Sequence, residues 1–188
     1  MRVFISISIP EYAKREIVKI QKEIDRLGLV KGKFTEPDNL HLTLKFLGEI
    51  SEVEIRAVKE RLSKLFFEPF EISFNNLGVF SEDFIRIIWI GISGENEQIF
   101  SLQAKIDYLL KDLFPLENRF MGHVTIARPK NIEDKRIFLD EFKKIKIPYI
   151  HFKVDKVYLN ESKLSKFGVE YNAIGVYGAV KIKEISVQ

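Results

Sequence analysis

From Val3 to Ile9 (VFISISI) apolar and polar positions alternate, and the run is rich in β-branched residues; a period of two predicts a strand. Pro10 then opens a stretch with Tyr12, Ala13, Ile17, Ile20, Ile24 and Leu27 at helical spacing, closed by Gly28. NLHLTLKFLG (39–48) reads as a strand, and Ser51 with Glu54 has the capping-box spacing that starts a helix over 51–66. FEISFNNLGVF (70–80) and FIRIIWIGI (84–92) predict two strands around SED, a hairpin. A helix follows over 95–114, stopped by Pro115. GHVTIAR (122–128) reads as a strand, 131–145 as a helix, and HFKVDKVYLNES (151–162) and VEYNAIGVYGAV (169–180) as two closing strands.

Strands and helices alternate irregularly and hairpins are frequent, which predicts an α+β fold with antiparallel or mixed sheet. The two halves share a rough grammar of helix, strand, helix and strand pair, which points to internal duplication. With 188 residues and no long linker, a single domain spanning 1–188 is expected.

Composition narrows the chemistry. The chain has no cysteine, so disulfides, thiolate metal sites and cysteine nucleophiles are excluded. The net charge of +3 is compatible with a nucleic-acid partner without requiring one. No apolar run has the ~18 residues of a spanning helix, and the N-terminal segment lacks the features of a signal peptide; a cytoplasmic protein with no membrane partner is expected, with a monomer as the default. The wealth of Lys, Glu and Ile, with two Met, leans towards a thermophilic source.

Two of the three histidines stand in one frame, HLTL (41–44) and HVTI (123–126). In a strand, residues i and i+2 share a face. His41 and Thr43 therefore point one way while Leu42 and Leu44 anchor the other side, and His123 and Thr125 repeat this over Val124 and Ile126. Imidazole titrates near pH ~6.5, so one histidine can serve as base and the other as acid. A pair facing across a cleft could hold a phosphate between them, with threonine hydroxyls on its oxygens. A lone His-x-Thr is usually unremarkable; the repetition makes this an active-site candidate. The pH profile is expected to be bell-shaped, with limbs on either side of the free value. HExxH, GxSxG and a P-loop are all absent, and no acidic residue lies at an obvious ligand spacing, so no metal or cofactor is expected. His151 has no Thr two residues on and is read as structural or exposed.

With their flanks, these motifs resemble those of the two-histidine (2H) phosphoesterase superfamily, and within it the RNA 2′,3′-cyclic phosphodiesterases, also called 2′-5′ RNA ligases. MRVFISISIP, NLHLTLKFLGEI, RIIWIGI, FMGHVTIARPK and VYLNESKLSKFGVEY carry the resemblance. One departure is Gly122, where the family usually has Pro. The resemblance implies two pseudo-symmetric lobes, each an antiparallel sheet with helices, and an active-site cleft between them. It implies opening of an RNA 2′,3′-cyclic phosphate by water to a 2′-phosphate, with reversible ATP-independent 2′-5′ joining as the related reaction. RNA ends bearing such a phosphate, tRNA fragments among them, are the implied partners. By the same resemblance His41 is the proton donor and His123 the acceptor, although the near-symmetric chemistry fits either order. Thr43 and Thr125 would bind the non-bridging oxygens. Phe46 and Arg128, each five residues after its histidine, would lie near the RNA end, Phe46 to stack a base and Arg128 to contact phosphate or sugar. Strict alternation puts both on the buried face, so each needs a twist at the strand end. The alternatives are a phosphodiesterase of 2′-5′ oligoadenylates or small nucleotide cyclic phosphates, and a non-catalytic RNA-end binder.

Overall fold

The alternating run at the start forms β1 (Arg2–Ser8), and Pro10, which lacks an amide hydrogen, precedes α1 (Glu11–Arg26). Gly28, at φ +70°, turns the chain out of this helix in the left-handed region. The computed structural model describes residues 1–92, 96–166 and 168–180. After α1 come β2 (Val30–Phe34), a short 3₁₀ turn (Pro37–Asn39), β3 (His41–Glu49) and α2 (Glu52–Leu62). The expected capping box is present: the Ser51 hydroxyl accepts from the Glu54 amide while the Glu54 carboxylate accepts from the Ser51 amide. The chain continues through β4 (Phe70–Val79), β5 (Ile88–Ile92), α3 (Glu97–Leu110), β6 (His123–Ile132), α4 (Lys135–Phe142), β7 (Ile150–Val154), β8 (Lys156–Ser165) and β9 (Gly168–Gly178).

The nine described strands form one antiparallel sheet in the order β7-β4-β5-β6-β3-β1-β8-β9, with β2 also paired to β6. It is nearly two sheets. The first lobe is β3-β1-β8-β9 and the second β6-β5-β4-β7, and they join at the pair Leu42↔Val124. Each lobe mixes both halves of the chain. Strand β4 follows β3 in sequence yet pairs with β5 in the second lobe, and β8 follows β7 yet returns to β1 in the first. The helices cross as well: α1 packs on β6 and β2, while α3 packs on β3 and α2. This is the expected α+β architecture of two related lobes.

Several expectations change. HFKVDKVYLNES is two strands, because the chain passes from one lobe to the other at Asp155. Strand β2 (VKGKF) has only partly buried apolar ends, so its pattern gives no period to read. The strand expected over 84–92 starts at Ile88, and the helix expected over 131–145 shrinks to α4, capped by the Asp134 side chain. The helix expected over 95–114 begins at Glu97 and ends at Leu110, with Glu95 outside the described residues. Both motif strands run beyond the expected 39–48 and 122–128, β3 to Glu49 and β6 to Ile132. Gly48 sits inside β3 at φ +79°, and Pro129 lies in β6 opposite Gly32.

Candidate active site

The two His-x-Thr segments meet at their middle residues, since Leu42↔Val124 is the only pair recorded between β3 and β6 among the described residues. The antiparallel directions turn His41 towards Thr125 and His123 towards Thr43. Beneath them Leu42, Leu44, Val124 and Ile126 are at most 1% exposed. These four side chains hold the polar face at the mouth of the core. Burying each is worth roughly 1.5–3 kcal/mol.

Each histidine is oriented in the same way. His41 Nδ1 lies 2.7 Å from the Asn39 carbonyl, and His123 Nδ1 lies 2.8 Å from the Met121 carbonyl. A carbonyl only accepts, so each Nδ1 carries the hydrogen and each Nε2 is left for the cleft. Asn39 is itself fixed, its side-chain amide donating to the Val169 carbonyl on β9. Burial holds the His41 imidazole below its ordinary 6.5, against the opposing pull of the Asn39 carbonyl, and the charges of Arg128 and His123 lower it further. His123 is lowered for the same reasons, burial first and Arg128 after it. Both values therefore move down in the free protein, rather than splitting about 6.5.

The residues five after each histidine reach the cleft through a device that strict alternation misses. In β3, Ser6 faces Thr43 and Ile5 faces Lys45, so Leu44 is an extra residue; in β6, Trp89 faces Thr125 and Ile88 faces Ala127, so Ile126 is extra. The same bulge occurs at the same place in both motifs. Two consecutive residues are buried, Leu44 with Lys45 and Ile126 with Ala127, and the alternation then resumes with opposite sense. Phe46 and Arg128 are thereby carried to the histidine face. The rotation comes from a bulge in mid-strand, not from a twist at the end.

Each bulge is held by a buried polar side chain from a helix. Gln21 of α1 donates from its amide nitrogen to the carbonyls of Thr35 and Ile126, both at 2.8 Å. In the other lobe Lys45 itself turns inward to Asp107 of α3 and to the Pro115 carbonyl. Asp107 also accepts from Gln103 and from the Glu117 amide. Burial pushes the Asp107 carboxyl up, but these donors outweigh it and hold it below its usual range. Lys45, Asp107 and Gln21 are each about 5–6% exposed.

The cleft has a volume of about 400 Å³. It contains all six residues expected at the site, His41, Thr43, Phe46, His123, Thr125 and Arg128, together with Arg2, Thr35, Asn39, Ser162 and Tyr171. No carboxylate is among its described lining residues. Two arginines and no acid make it a place for an anion. Tyr171 and Phe4 set ring contacts against His41 at 5.0 and 4.8 Å, and burial raises the Tyr171 hydroxyl. Phe4, Asn39 and Arg2 were not singled out from sequence. Asn39 and Met121 share the offset of two residues before each histidine, and that repetition is the one signal that could have found them. His151 is exposed and stacks on Tyr149, away from the cleft. Gly122 packs beneath Ile92, whose side chain occupies the space an added Cβ would need. Among the described residues no group of three His, Asp or Glu side chains could hold a metal ion.

Two imidazoles with free Nε2 atoms, two hydroxyls and two guanidinium groups around an acid-free cleft form an acid–base site suited to a phosphate ester. The chain belongs to the family described as LigT-like phosphoesterases, whose model matches it twice, over residues 7–89 and 90–171, one motif in each match. It is 34% identical over 177 residues to the RNA 2′,3′-cyclic phosphodiesterase of Methanocaldococcus jannaschii, covering 93% of this chain and 98% of that one. It is 35% identical over 131 residues to the protein of the same name from Archaeoglobus fulgidus, covering 69% and 73%. The crystal structure of E. coli LigT in apo form superposes with a TM-score of 0.77 at 19% identity, covering 96% of this chain and 98% of that one. The same E. coli protein has been crystallised with 3′-AMP. No helix among the described residues is long and apolar enough to cross a membrane.

Proposed function

We propose that the protein opens the 2′,3′-cyclic phosphate at an RNA end, giving a 2′-phosphate, and that it acts as one two-lobed unit over residues 1–188. The name carried by its relatives supports the substrate class, and the crystallisation of E. coli LigT with 3′-AMP is consistent with a nucleotide in such a cleft. The observation that carries the reading is the pair of Nε2 atoms left free by matched carbonyl contacts on either side of one anion-binding cleft.

The cleft is lopsided, and this supports the assignment of roles. Beyond the motifs its walls come mainly from the first lobe: Arg2 and Phe4 of β1, Phe46 of β3, Ser162 of β8 and Tyr171 of β9. A terminal nucleoside has its room there, on the His41 side, with Phe46 and Tyr171 as flat surfaces for the base. The ribose oxygen that leaves phosphorus then faces His41, and water attacks in line from the His123 side. His123 Nε2 takes the proton from water, and His41 Nε2–H gives one to the departing O3′. Thr43 and Thr125 donate to the non-bridging oxygens as charge grows there, and Arg128 adds a fixed positive charge.

The test is product analysis with an oligoribonucleotide ending in a 2′,3′-cyclic phosphate, run beside 2′-5′ oligoadenylate and mononucleotide cyclic phosphates. A 2′-phosphate end, formed undiminished in excess EDTA, is the expected result. Preference for the oligoadenylate or the mononucleotides would reassign the substrate. Binding without turnover would make the protein a reader of RNA ends. Loss of activity in EDTA with rescue by a divalent ion would overturn the two-imidazole mechanism.

A further inference from the structure

The His123 side of the cleft carries aromatic surface that hydrolysis by water leaves unused. Phe80, the first residue after β4, is 52% exposed and stands edge-on to His123, with ring centroids 5.0 Å apart. Behind it lies Trp89, the only tryptophan in the chain, 5.9 Å from Phe80 and 6.5 Å from His123. Four residues further on, Phe84 is 62% exposed, and the Arg86 guanidinium lies 4.2 Å from its ring centre. The loop that carries these groups is tied down. Arg86 donates to the Lys130 carbonyl, Lys135 to the Asp83 carbonyl, and the Phe84 amide to the Ser81 hydroxyl. An exposed aromatic ring held beside a charged cleft, with a second ring and an arginine following, has the makings of a single-stranded RNA platform.

We propose that Phe80 is the stacking surface for the nucleoside that brings a 5′-hydroxyl to the cyclic phosphate, making the His123 flank a second RNA subsite. This rests on the function proposed above. If the terminal ribose lies over the first lobe, its own strand leaves from that side, and in-line geometry puts the carrier of any attacking oxygen on the opposite one. There the 5′-hydroxyl loses its proton to His123 and its oxygen bonds to phosphorus. The P–O3′ bond breaks, O3′ takes the proton from His41, and the product is a 2′-5′ phosphodiester with a free 3′-hydroxyl. No nucleotide triphosphate is consumed, because the strained ring supplies the leaving bond. The exchanged protonation of the two histidines is the state needed for the reverse cleavage.

The experiment measures joining and hydrolysis together. An RNA with a 2′,3′-cyclic phosphate is mixed with increasing amounts of an oligonucleotide that has a 5′-hydroxyl and a blocked 3′ end. The ratio of joined to hydrolysed product is followed for the wild type, Phe80→Leu and Phe80→Trp. Leucine keeps apolar cover over His123 but removes the flat ring. The ratio is expected to fall at least about tenfold in Phe80→Leu, the scale of one lost base–aromatic stack, and to be retained in Phe80→Trp. Emission from Trp89 should respond to the 5′-hydroxyl oligonucleotide in the wild type when the product 2′-phosphate is already bound, and not in Phe80→Leu. A wild type that hydrolyses but never joins, or a Phe80→Leu variant that loses both activities in parallel, overturns the subsite and leaves the hydrolytic reading intact. A wild type that does not open the cyclic phosphate overturns the hydrolytic reading itself.

Discussion

The strands bearing His41 and His123 are close copies of each other in backbone and differ in almost everything that supports them. Both have the same carbonyl contact two residues back, the same bulge three residues on, and the same inward and outward sequence of side chains. The first bulge is anchored by a buried ion pair and the second by a neutral amide. Next to Thr43 the facing strand has Ser6, opposite the large Tyr158; next to Thr125 it has Trp89, opposite Gly78. One large and one small residue fill each position, in exchanged order. What the copies keep is the placement of Nε2 and hydroxyl. What they vary is everything that can be refilled at constant volume.

The comparison breaks first at the histidines. His41→Ala and His123→Ala should each cut turnover of the cyclic phosphate by roughly 10²–10⁴-fold without loss of the fold, as checked by thermal melts. A substrate whose 3′ leaving group departs without a proton should restore the His41 variant and not the His123 variant. The opposite pattern would exchange their roles.

The two anchors should differ next. Lys45→Met leaves the buried Asp107 carboxylate without its counter-charge, held only by Gln103 and the Glu117 amide, at a cost of roughly 3–5 kcal/mol in a denaturant melt. Gln21→Leu removes only neutral hydrogen bonds and should cost about 1–3 kcal/mol. Equal losses would mean that the ion pair does no more than the amide. Gly78→Ala pushes a methyl into the Trp89 ring and should destabilise by about 1–3 kcal/mol.

The smallest effect is on pH. In the proposed mechanism one histidine is protonated and the other neutral, so kcat/KM should fall on both sides of an optimum that the pair sets together. Burial, with help from Arg128, lowers both groups, so both limbs and the optimum are expected to shift to the acid side of 6.5 in a measured pH profile. Arg128→Leu removes a positive charge that disfavours protonation of either ring, so both limbs should move to higher pH. A bound phosphate anion favours the protonated rings, which should put the optimum of kcat above that of kcat/KM.

Much of this site was legible in the chain because it rests on strand periodicity. His-x-Thr over two buried apolar residues states its own orientation, and finding it twice states that two such faces exist. The bulges were not legible. Leu44 and Lys45 look like an ordinary step of alternation, and only the pairing partner shows that one of them is extra. Lys45 and Gln21 read as solvent-facing residues, because their burial depends on acceptors many positions away. The break at Asp155 was hidden for a related reason: β7 and β8 are both β-rich, and what separates them is the lobe each pairs with. Phe4, Arg2 and Tyr171 join the cleft through the register of β1, β8 and β9, which no local pattern records.

The exchange of strands between the lobes has a consequence for the chain as it is made. The first lobe places β1 beside β8, with Arg2 facing Ser162, and it lacks Tyr171 until β9 has formed. A chain emerging from the ribosome exposes His41, and later His123, long before either wall behind His41 can close. Contacts this distant in sequence form late and slowly. The first lobe therefore has to wait for the last strands to be synthesised, so no partial chain carries a finished cleft. A chain cut short before β9 would present both histidines without the wall that Tyr171 completes.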